Sequence, residues 1–71
     1  MDLNLEHLRL RLRLTQAELA NKLQISQRRV SAIENSPDIQ LSTLKNYVET
    51  LGANLEINAI MRGERIPLLL D

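Results

Sequence analysis

The chain has no cysteine, tryptophan or phenylalanine, and only one histidine and one tyrosine among its 71 residues. Without cysteine there is neither a disulfide framework nor a thiolate metal site, and His7 has no second imidazole with which to share an ion. Only two glycines are present, and no Gly-rich phosphate loop precedes a helix. These gaps remove the usual equipment of an enzyme, so the expectation is a non-catalytic protein that needs no cofactor. Long apolar runs are also missing. Leu68-Leu69-Leu70 is far too short to span a bilayer, and nothing at the amino terminus resembles a signal peptide, so a soluble, cytoplasmic chain without a membrane partner is expected. Seventy-one residues make one small domain, near the size at which a single core barely suffices, and oligomerisation would be a natural supplement.

What is present centres on residues 15–35, TQAELANKLQISQRRVSAIEN. Thr15 can cap a helix through its hydroxyl while Glu18 reaches back to the cap's own N–H, a reciprocal capping box. Ala17, Leu19, Ala20 and Leu23 make that helix amphipathic. Gln24 and Ile25 interrupt it, and Ser26 can cap a second start. Val30, Ala32 and Ile33 then supply the apolar side of a helix about two and a half turns long. Two short helices joined by a tight turn are the result.

This stretch resembles the helix-turn-helix of the Cro/phage-repressor (XRE) class. Ala20 stands where that family has a small residue at the helix crossing and Val30 where it has an aliphatic one, while Gln16, Ser26-Gln27, Ile33, Glu34 and Asn35 fit the same register. The turn departs from the pattern, with Gln24 where glycine is common; a non-glycine residue at positive φ costs on the order of 1 kcal/mol. The resemblance implies a mostly α, four-helix, lambda-repressor-like DNA-binding domain. It also implies that the amino-terminal end of the second motif helix faces the major groove, with Ser26, Gln27, Arg28, Ser31 and Ala32 as base readers. Their chemistry agrees: Gln pairs with adenine N6 and N7, Arg with guanine O6 and N7, and Ser with a base or a phosphate. Arg29 reaches a phosphate or is simply solvated. Gln16 and Asn35 match family phosphate contacts, although both residue types also serve in caps and turns.

The zero net charge is awkward for such a partner, because sequence-independent affinity comes from cations displacing counterions. The charge is unevenly spread, however. Residues 1–35 hold six Lys/Arg (Arg9, Arg11, Arg13, Lys22, Arg28, Arg29) against four acids, and residues 36–71 hold three against five. Modest non-specific affinity is expected, with binding that depends on a dimer presenting two cationic halves.

The opening MDLNLEHLRLRLRL alternates as a strand would, but Leu5, Leu8 and Leu12 also fit a helical stripe, and the family begins with a helix. The resemblance buries Leu5 and Leu8 and pairs Arg9 with Glu34 in a structural salt bridge. Arg13 stands where the family closes this helix with glycine. After a loop at Ser36-Pro37-Asp38-Ile39-Gln40, a fourth helix is expected over Leu41–Leu51. Ser42 or Thr43 would be its cap, Leu44, Tyr47, Val48 and Leu51 its stripe, and Gly52 its terminator. Thr43 and Lys45 lie where they could touch phosphates, and Tyr47 reads as core rather than as a base-stacking group.

Beyond Gly52 the period becomes two. ANLEINAI alternates as a half-buried strand, Met61-Arg62-Gly63-Glu64 reads as a turn, and RIPLLL as a second strand that Pro67 confines to an edge. Division into a helix-turn-helix domain, 1–52, and a C-terminal β segment, 53–71, follows. A lone hairpin is barely stable, and its apolar residues Leu55, Ile57, Ala59, Ile66, Leu68 and Leu70 need cover, either from the chain's own four helices or, the favoured arrangement, from a second copy. A homodimer would then set two recognition helices roughly 34 Å apart on a palindromic operator. The segment after Gly52 and the run ENSPDIQLSTL resemble the antitoxins of HipB and HigA type. That resemblance implies an autoregulating repressor that also binds a HipA-like kinase or a RelE-like ribonuclease toxin. The chain lacks the long flexible tail that some antitoxins wrap around a toxin, so such contact would use the folded surface. The alternative is a stand-alone XRE-family regulator with no toxin.

Overall fold

Helix starts and stops are set locally. Asn4 accepts from the His7 N–H and opens α1, Leu5–Arg11. Thr15 and Glu18 form the reciprocal box that opens α2, Gln16–Leu23, and Ser26 accepts from the Arg29 N–H to open α3, Gln27–Glu34. The fourth helix, α4, spans Leu41–Thr50. Two short strands follow among the described residues, β1 at Asn58–Met61 and β2 at Glu64–Pro67. This is a computed structural model, and it describes residues 3–69.

Three helices end in the same way. After α1, Arg13 N–H bonds the Leu10 carbonyl and Leu14 N–H the Arg9 carbonyl. The pairs Gln24–Asn21 with Ile25–Ala20, and Gly52–Glu49 with Ala53–Val48, repeat this crossed pattern after α2 and α4. Such closures place one residue in the left-handed region, as glycine does without cost. Gly52 fills it after α4 at φ 83°, but Arg13 (59°) and Gln24 (58°) carry side chains there.

The core is Leu5, Leu19, Ala20, Val30, Ile33, Tyr47 and Val48, with Leu8, Leu44, Leu51, Ala53 and Leu55 packed against it. Leu19, Val30 and Tyr47 are almost wholly excluded from solvent. Burying each of the two aliphatic side chains contributes about 1.5–3 kcal/mol. The four helices thus share one centre.

Several expectations are corrected. The helix stripe of α1 stops at Leu8, since Leu12 lies beyond the helix and is exposed. Neither Ser42 nor Thr43 caps α4: the helix starts at Leu41, as expected, but its cap is Gln40, two residues before Ser42, with no side-chain hydrogen bond there. The strand expected over 53–60 begins only at Asn58, because Ala53 and Leu55 turn toward the helical core instead. Met61 and Glu64, expected in the turn, are the last paired residues of the ladder. Only Arg62 and Gly63 remain between them, both at positive φ (53° and 79°), the two-residue turn that matches strand twist. Leu70 lies outside the described residues. The architecture is therefore four helices followed by a two-stranded antiparallel hairpin, with Ala59 opposite Ile66 and Ile60 opposite Arg65.

Candidate nucleic-acid interface

The helix α3 has two unlike sides. Val30 and Ile33 face the core, whereas Gln27, Arg28, Arg29 and Ala32 are exposed and Ser31 is half-buried. Ala32, also counted on the apolar side in the sequence reading, is in fact on the open side. Ser26 spends an oxygen lone pair on the Arg29 N–H at 3.0 Å, which leaves its own O–H to donate. Side chains able to read base edges thus sit together at the start of α3, pointing away from the protein.

The other end of α3 is anchored by a buried polar cluster. Arg9 Nε donates to Glu34 Oε2 at 2.7 Å and Nη2 to Oε1 at 3.3 Å, while Nη1 donates to the Leu14 carbonyl at 2.8 Å. Gln16 Nε2 donates to Glu34 Oε1 at 3.1 Å. The Tyr47 hydroxyl lies 2.6 Å from Glu34 Oε2 and 3.1 Å from the Leu5 carbonyl, and its one proton serves the nearer, charged acceptor. Glu34 therefore receives donors from α1, α2 and α4. Its side chain and that of Arg9 are only 3% and 6% exposed, and no buried side-chain polar atom among the described residues lacks a partner.

The ionisation of the cluster follows from this geometry. Burial raises the Glu34 pKa, but hydrogen bonds from Arg9, Tyr47 and Gln16 outweigh it and hold the carboxyl below its ordinary 4.5. The Glu34 hydrogen bond raises Arg9 further against the opposing effect of burial. Burial, then the Glu34 contact, pushes the Tyr47 phenol far above its ordinary 10.0. Carboxylate, guanidinium and neutral phenol are the forms present near neutrality.

Of the residues expected at phosphates, Gln16 has its amide turned to Glu34, although a second amide N–H and its backbone N–H remain. Asn35 folds its amide onto the Ser31 carbonyl at 2.8 Å, the capping role open to that residue type. Lys45 lies 3.9 Å from Glu49. Arg29 and Thr43 come together: both line a groove of about 230 Å³ between α3 and α4, with Ser42 and Asn46 alongside. The α4 amino terminus, which lacks a side-chain cap, opens nearby. Among the residues expected at an interface between copies, Ile57, Ala59 and Ile66 are half-buried and Leu68 is exposed, while Leu55 packs on the helical core. Sequence reasoning missed Tyr47 and Gln16 as partners of Glu34, Asn4 as a cap and the lateral groove. Of these only Asn4 had a local signal, an Asn before an amphipathic run. Among the described residues no His/Cys/Asp/Glu group is arranged to hold a metal, and no helix is long and apolar enough to cross a membrane.

Two short helices joined through a left-handed residue, the second offering polar side chains at its exposed start, define a helix-turn-helix domain. The chain belongs to the helix-turn-helix family, whose model matches residues 5–58. It is 39% identical over 66 residues to a Mycobacterium tuberculosis protein carrying the antitoxin name HigA2, a match covering 90% of this chain but 65% of that protein. Among solved structures, it resembles a HigA antitoxin described for induced DNA bending by unique dimerisation. That match has a TM-score of 0.81 and 32% identity, and covers 99% of this chain and 96% of that one. The DNA-bound antitoxin HigA3 is similar at a TM-score of 0.80 and 32% identity, covering 99% and 94%.

Proposed function

We propose that this protein is a sequence-specific DNA-binding repressor, acting as a homodimer on a palindromic operator, and the antitoxin of a toxin–antitoxin module. The observation that carries the reading is the exposed start of α3, where Gln27 and Arg28 project while Val30 and Ile33 lock the opposite face. Resemblance over nearly the whole chain to a DNA-bound antitoxin supports it. Ser26, Gln27, Arg28, Ser31 and Ala32 read bases in the major groove. Gln16, Arg29, Asn35, Thr43 and Lys45 set the register on phosphates, aided by the uncapped start of α4. The role is non-catalytic and cytoplasmic.

Two measurements test this reading. Arg28→Ala weakens operator binding by about 1–3 kcal/mol while changing affinity for random DNA little, measured by fluorescence anisotropy. Equal loss on both would make Arg28 a phosphate contact. For the antitoxin role, the protein is purified from its native cells through a high-salt wash, and a kinase or small ribonuclease should remain in stoichiometric amount. Recovery of the homodimer alone, from cells that express a candidate toxin, would leave a stand-alone regulator.

A further inference from the structure

The hairpin has two outer edges, and they differ chemically. Ladder parity is set by the Leu68 N–H bonding the Ile57 carbonyl at 2.7 Å and by the two-residue turn between Met61 and Glu64. In an antiparallel pair, residues alternate between those that bond their partner and those whose N–H and C=O point away. Ile57, Ala59 and Met61 therefore bond β2, and Asn58 and Ile60 present their backbone groups outward. On β2 the outward positions are Arg65 and Pro67, opposite Ile60 and Asn58. Pro67 has no N–H, so the outer edge of β2 lacks a donor where a further strand would need one. The outer edge of β1 is complete, and its Ile60 side chain is 67% exposed.

From this asymmetry we infer that a second copy of the chain joins through β1 and not through β2, in an antiparallel pairing centred on Ala59. The inference rests on the homodimer reading above and specifies its interface. Centring on Ala59 sets Asn58 against Ile60 of the second copy and Ile60 against its Asn58, so each outward-facing residue meets another. It also uses the whole extended run 57–61. Centring on Ile60 would bring Arg62, which turns away at φ 53°, into the ladder. Side chains agree with the backbone. In the resulting four-stranded sheet, Ile57, Ala59, Met61, Ile66 and Leu68 of both copies fall on one face, with Glu64 beside Met61 at the turn end, since paired residues share a side. The alanine sits at the two-fold, where opposite Cα atoms of a non-bonded pair approach to about 4.5 Å. The pairing thus satisfies an edge that would otherwise recruit any passing strand.

A cross-link reads this out, because the full chain contains no cysteine. Ala59→Cys should form a covalent dimer under mild oxidation about tenfold faster than Arg65→Cys, the Cα spacing at the two-fold being within disulfide range. Sedimentation of the same proteins reports assembly separately. Ile60→Pro, whose lost N–H points outward, should yield a folded monomer by circular dichroism and sedimentation, and Arg65→Pro should remain a dimer. A stable dimer in which Arg65→Cys cross-links faster, or which only Arg65→Pro disrupts, overturns the β1 pairing and leaves the homodimer standing. An unmodified chain that sediments as a monomer at every concentration overturns both.

Discussion

At the scale of single residues, backbone strain and buried charge are the two quantities most open to test. Gln24 and Arg13 hold left-handed conformations that glycine adopts freely. Gln24→Gly should raise stability by about 0.5–1 kcal/mol, a gain of several degrees in Tm for a domain of this size. A fall in Tm would mean that the side chain contributes packing that outweighs the strain. Glu34 is the opposite case. Removing its charge in Glu34→Gln leaves the buried Arg9 with only the solvent-exposed Glu6 carboxylate, 3.7 Å away, as counter-ion, at a cost of about 3 kcal/mol. That is a large part of the roughly 4–10 kcal/mol expected for 71 residues.

Because the folded Glu34 pKa is depressed, its stabilisation is present above the ordinary 4.5 and is lost as pH falls through the folded value. Tyr47→Phe deletes a donor and moves that pKa up, so the midpoint of acid unfolding should shift to higher pH. An unchanged midpoint would mean that Tyr47 does not bond the carboxylate. The Arg9–Glu34 pair was suggested by family resemblance, but the contributions of Gln16 and Tyr47 could not be read from the sequence. They are neutral side chains 18 and 13 residues from Glu34, joined to it only by the fold.

At the scale of elements, the helices were the more legible part because their signals are local. The capping box at Thr15 and the apolar pair Val30 and Ile33 placed α2 and α3 directly. The cap of α4 was not legible, because Ser42 and Thr43 look like caps while Leu41 already lies inside the helix. The strands misled for another reason. Leu55 and Ile57 alternate as one strand would, yet Leu55 belongs to the helical core and only the residues beyond it enter the hairpin. In the turn, Arg62 occupies a position that favours Asn or Gly. Arg62→Asn should therefore strengthen the hairpin by a few tenths of a kcal/mol, seen as slower exchange of the Leu68 amide. Exchange unaltered or faster would show that Arg62 makes a compensating contact.

At the scale of the whole molecule, the half that carries the recognition helix has a small excess of cations, six against four acids, and the half beyond it an equal excess of acids, five against three cations. A protein with no net charge should show little affinity for random DNA, and its operator affinity should fall with salt only by the count of direct phosphate contacts, about 0.9 in log–log slope per contact. Truncation tests how the two parts are joined. Removing everything after Glu56 spares Ala53 and Leu55, so the helical domain should stay folded but lose self-association. Cutting at residue 53 also strips the core and should lower stability.

The Glu34 cluster has a further consequence for how the molecule opens. A single carboxylate receives hydrogen bonds from three other helices, so none of α1, α2 or α4 can swing away without leaving a charge or a donor stranded. Partial opening of the helical domain is thus nearly as costly as complete opening. Amide deuterium uptake in the four helices should follow one shared free energy, behaving as one foldon, while the hairpin, outside this tie, opens on its own.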